Sequence, residues 1–114
     1  MTELITMLPV LPGKRAEAEK FVATLLGPKW KQYDRSQKIF KIRRETWFLT
    51  STAHGDYLVF YAEGDDIIKS FKDWVLSEDP FEKWVKREMK KISGVDPDVP
   101  SDNPLPKQLL RYGY

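Results

Sequence analysis

The chain has 114 residues, 41% of them hydrophobic, which is enough for one domain with a single core and excludes a separate catalytic module. Its 19 Lys and Arg against 17 Asp and Glu leave a net charge of +2, and the signs alternate in "KRAEAEK" and "EKWVKREMKK", so no phosphate-binding block is present. The lack of cysteine and the single histidine exclude disulfides, thiolate nucleophiles and His- or Cys-rich metal sites.

No apolar run approaches the ~20 residues that cross a bilayer, so a soluble, cytoplasmic protein without membrane association is expected, with no metal or cofactor. "ELITMLPVL", Glu3 to Leu11, is β-prone and stops at the turn signal Pro12-Gly13. From Lys14 onward Ala18, Phe21, Val22, Leu25 and Leu26 recur at three- and four-residue steps, which predicts an amphipathic helix ended by Gly27-Pro28. "KWKQYDRSQ" is then expected to form a further short, irregular helical stretch before the chain turns extended. Phe40–Ser51 and Asp56–Glu63, joined by "TAHG", are rich in aromatic and β-branched residues and predict a hairpin.

Asp66–Leu76 follows as a helix with Ile67, Phe71, Trp74 and Val75 on one face and Asp65 or Asp66 as its cap. A proline then interrupts the helical spacing, but Asp79 suits an N-cap, Pro80 the first helical position, and Glu82 the third position of a capping box. The proline therefore starts a second helix. That helix carries Phe81, Trp84, Val85, Met89 and Ile92 to Gly94, with Glu82 and Lys86 paired on a solvated face. "VDPDVPSDNPLPKQ" has no helical period and reads as an extended arm, while "QLLRYGY" predicts a short last strand or hook. The domain thus spans 1–94 and the Pro-rich arm 95–114.

The order is that of an α+β, ferredoxin-like βαββαβ plan, an antiparallel sheet with helices on one face. Its other face should then alternate polar with apolar, yet "YLVFYA" has no polar alternates and "TWFL" puts Phe48 opposite Trp47 and Leu49. Large apolar patches are rare on soluble monomers, so a homodimer through the sheet face is expected.

The stretches "ETWFLTSTAHGDYLVFYAEGDD" and "SFKDWVLSEDPFEKWVKREMKKISGVD" resemble the dimeric α/β-barrel superfamily, which includes antibiotic-biosynthesis-type and heme-degrading monooxygenases. Within it the chain is most similar to a set of short uncharacterised bacterial proteins sharing the Trp-containing second strand, the Gly-Asp hairpin exit and the Asp-Pro-Phe helix restart. The resemblance covers about residues 3 to 94 and rests on structural motifs. It implies paired sheets forming a barrel and a pocket between sheet and bent helix, and it hands over no catalytic residue.

Two functions from different classes follow: a cofactor-independent monooxygenase or related small-molecule enzyme, and a noncatalytic dimeric binding or stress-associated protein. Trp47, Tyr57, Tyr61, Trp74, Phe81 and Trp84 form either a core or the lining of a pocket for a small aromatic ligand, with Trp47 and Tyr61 as its floor. Glu45, Arg44 and Glu63 are polar residues that face the same space on this reading, and either carboxylate suits a general base. His54 sits in the hairpin loop and reads as a turn residue before it reads as a ligand or base. "HGDYLVFY" fits the third-strand motif of RNA-recognition domains poorly, so nucleic-acid binding is not expected.

Overall fold

A β-prone, largely apolar run forms the first strand, β1 (Thr2–Val10), with Leu4 and Val10 buried and Ile5 and Met7 on the opposite side. The turn at Pro12-Gly13 leads into α1 (Arg15–Leu26), which buries Ala18, Phe21 and Leu25 at the helical spacing read from the sequence. The computed structural model describes residues 1–98 and 104–113.

The stretch expected to be irregular is a regular ten-residue helix, α2 (Trp30–Ile39). Its inward side is polar: Tyr33 donates to Glu45 Oε1 at 2.6 Å and Ser36 Oγ to Glu82 Oε1 at 2.9 Å. Carboxylates from other elements hold this helix in place of an apolar stripe, so no hydrophobic period marked it in the sequence. Lys38 and Asp34 add an ion pair one turn apart at 3.0 Å.

β2 (Ile42–Thr52) and β3 (Gly55–Gly64) make the expected hairpin, and β1 pairs with the far side of β3. The sheet is antiparallel, in the order β1-β3-β2. At its end a Cβ on Gly64 would meet the Lys41 carbonyl oxygen at 2.8 Å, so only glycine lets the start of β2 approach β3 so closely. The register places Leu8, Leu58 and Leu49 side by side, with Phe60 and Trp47 one step on, all beneath the helices. Phe48, Val59 and Met7 share the other face.

α3 (Ile67–Leu76) is capped by Asp66, which accepts from the Lys69 amide. α4 (Pro80–Ser93) starts as predicted, with Asp79 accepting from the Phe81 amide and Pro80 in the first turn, and it ends at Gly94 in the left-handed region (φ 74°). The rest of the expected capping box does not form. Glu82 is 2% exposed and bonds Ser36 on α2, while the Asp79 amide donates to Ser77 Oγ.

Nor do Glu82 and Lys86 form a solvated pair. Lys86 is buried, and its Nζ donates to the carbonyls of Val75 at 2.6 Å and Ser77 at 3.0 Å. These carbonyls lie at the end of α3, where no further turn can satisfy them. Lys86 therefore closes the break that Pro80 opens, standing 5.6 Å over the Trp74 ring and 3.3 Å from Asp98.

The expected last strand is not seen among the described residues: 104–113 belong to no helix or strand, and Tyr114 and 99–103 lie outside the described residues. The described chain is thus an α+β domain of a three-stranded antiparallel sheet and four helices. No helix among the described residues is long and apolar enough to cross a membrane.

Candidate functional site

Helix spacing on α1 and α4 and strand alternation on β2 bring an aromatic row together under the helices. Phe81 stacks on Trp84 at 6.0 Å, Trp84 meets Phe21 at 5.5 Å, and Phe21 meets Trp47 at 5.8 Å. Trp47 abuts Phe60 edge to face at 4.6 Å. Lys29 Nζ stands 4.6 Å over the Trp84 ring, covering its outer side. Trp74 packs against Phe71 at 6.0 Å. These rings stand beneath the restart of α4, where the pocket was expected.

Of the candidate residues, Trp47, Trp74, Phe81, Trp84 and Glu45 lie on the helical side of the sheet. Tyr57, Tyr61, Glu63 and Arg44 lie on the open side, because the register sets Phe60 opposite Trp47 and so turns Tyr61 away. Trp47 and Tyr61 cannot share one pocket floor. His54 is exposed in the hairpin turn, where its amide donates to Thr52 Oγ1 at 3.1 Å.

An apolar crevice of about 210 Å³ lies instead between α1 and β2. Ala18, Val22, Trp47, Leu49 and Leu58 line it, with Phe48 and Glu19 also contributing. Among the described residues Glu19 is the one titratable group lining it, and it is ion-paired to Arg15 at 3.4 Å.

Beside this crevice, but not lining it, Glu45 sits between α2 and β2. Burial raises its carboxyl pKa above the ordinary value, and the hydrogen bond from Tyr33 opposes this. The buried Trp47 Nε1 has no hydrogen-bond partner among the described residues. Burial and the Glu45 charge push the Tyr33 phenol up, which keeps it a donor. Glu82 is raised by burial as well, with Ser36 lowering it and Asp79 adding to the rise.

A second polar cluster stands at one end of the open face. The Tyr61 hydroxyl contacts the carboxylates of Glu3 and Glu63, and these two hydrogen bonds push its pKa up. Arg44 stands 3.9 Å from Glu63, and Arg111 Nε 2.7 Å from Glu3. Gln108 Nε2 donates to Glu3 at 3.1 Å. Hydrogen bonds from Tyr61 and then Gln108 hold Glu3 below the usual carboxylate range.

Sequence reasoning missed Tyr33, Ser36, Glu3 and Arg111. For Tyr33 and Ser36 a signal existed in their three-residue spacing, which puts both on one side of a helix. For Glu3 and Arg111, 108 positions apart, no local signal exists. Among the described residues no group of three or more His, Cys, Asp or Glu could hold a metal ion. No protein-family model, curated protein or solved structure matches the chain.

Proposed function

We propose that the chain is a homodimer joined through its open sheet face, built as a ferredoxin-like half of an α/β barrel, and that it binds a small aromatic molecule without transforming it. The observation that carries the dimer is the contiguous apolar strip of Ile5, Met7, Val59 and Phe48, of which Ile5 is 46% and Met7 and Phe48 are 57% exposed. Covering such a strip with a second sheet removes well over ~1,000 Å² from water, the scale of a stable interface. The fourth strand of the ferredoxin-like plan and the superfamily resemblance belong to this same proposal.

The ligand is placed in the crevice beside α1, whose apolar lining suits one or two fused rings. Binding is favoured over chemistry because the one ionisable group there, Glu19, is committed to Arg15. Titrating naphthol into the protein while following tryptophan fluorescence tests this. Saturable quenching, abolished by Val22→Phe, is expected, and its absence up to millimolar ligand refutes the binding reading.

The monooxygenase reading rests on Glu45, which stands beside the crevice without lining it, and so on a substrate seated against α2 and β2 in place of the crevice. A cofactor-independent oxygenase needs a base to take the phenolic proton so that the substrate itself supplies electrons to oxygen, and a carboxyl with a raised pKa suits that step. Oxygen uptake with naphthol that is lost in Glu45→Gln would favour this second reading.

A further inference from the structure

We infer that the C-terminal arm is a working part of the dimer interface: residues 104–112 of each protomer lie over the open sheet face of its partner. This rests on the face-to-face dimer proposed above and names what each copy adds to it.

The arm is held on the open side of its own sheet. Strand alternation puts Glu3 on the face of Ile5 and Met7, and Glu3 receives both Gln108 and Arg111. These polar bonds fix where the arm stands; Leu105 is 38% exposed, but the three large apolar side chains that follow it stay uncovered. Leu109 is 88%, Leu110 85% and Tyr112 99% exposed. The same molecule thus presents an uncovered apolar strip beside an uncovered apolar face. A two-fold operation sets each strip on the other copy's face, which is the self-complementarity that a symmetric interface needs.

Two further features fit a second copy as the occupant. Pro104 and Pro106 restrict the arm before it docks, which reduces the ordering cost of association. Arg111 and Arg44 offset the charges of Glu3 and Glu63 at the end of the face, so that end can be covered without leaving an unpaired acid.

The test is sedimentation equilibrium at neutral pH on the full chain, on Leu109→Ser/Leu110→Ser/Tyr112→Ser, and on Phe48→Asp, each checked by circular dichroism for an intact fold. The full chain should be a dimer, and the exposed positions of the arm variant should leave its fold unchanged. Its dimer dissociation constant should rise at least about 30-fold, as expected when several anchoring side chains are removed. Phe48→Asp should abolish the dimer. An arm variant that dimerises as tightly as the full chain, while Phe48→Asp does not, overturns the inference and leaves the face-to-face dimer standing. A full chain that stays monomeric, or a dimer indifferent to Phe48→Asp, overturns both.

Discussion

Replacing Lys86 with Met tests how the chain tolerates a proline between two helices packed on the same core. Met keeps a stem of similar volume at the buried position beside Trp74 but removes the ammonium group, leaving the Val75 and Ser77 carbonyls without this donor. Two hydrogen bonds from a charged donor are each worth about 1.5–3 kcal/mol. Part of this is returned because a charge that is only 4% exposed no longer has to be stripped of water, an effect of a few kcal/mol. The net loss expected is about 2–3 kcal/mol, and for a domain of this size a fall in Tm of roughly 8–12 °C. Urea unfolding followed by circular dichroism gives the first figure and calorimetry the second. Asp98→Asn serves as control: Asp98 is 61% exposed, so its ion pair with Lys86 should contribute less than about 1 kcal/mol. If Lys86→Met unfolds at the parent temperature or above, the buried ammonium does not hold the break, and apolar packing of α3 and α4 does.

Three further outcomes are expected. Asp79→Ala removes the cap on the Phe81 amide and should cost about 1 kcal/mol in urea unfolding, whereas an unchanged midpoint would show the helix start to be set by Pro80. Trp84→Ala should cost about 3 kcal/mol, at the low end for a large aromatic because the ring is only half-buried; a loss below about 1 kcal/mol would mean the aromatic row is not close-packed. Burial holds the folded-state pKa of Glu82 above its ordinary value of 4.5, so the stability it contributes is fully present below that value and is lost as pH rises through the raised one. Glu82→Gln keeps an acceptor for Ser36, so the variant should gain on the parent as pH increases from 4 to 8, and a variant that loses ground over that range contradicts burial as the dominant cause.

Local pattern alone determined β1, α1, the hairpin, and the capped restart at Asp79-Pro80, because each depends on neighbours a few residues apart: β-prone runs bounded by turn residues in the strands, three- and four-residue steps in α1, and a cap beside the proline it serves. The open apolar face was legible from Phe48 and from "YLVFYA", a strand without polar alternates, which leaves apolar side chains on the side of the sheet away from the helices. Tertiary structure decided the rest. α2 is held on the domain by Glu45 and Glu82, from a strand and a later helix, which supply acceptors to Tyr33 and Ser36. Glu82 and Lys86 have the spacing of an exposed pair, and their burial depends on an acceptor hydroxyl and two free carbonyls that lie beyond the reach of local sequence. The same holds for the candidate site. Trp47 and Tyr61 differ in face by the parity of β2 against β3, a matter of register, and the arm reaches Glu3 only because folding brings residues 3 and 111 together.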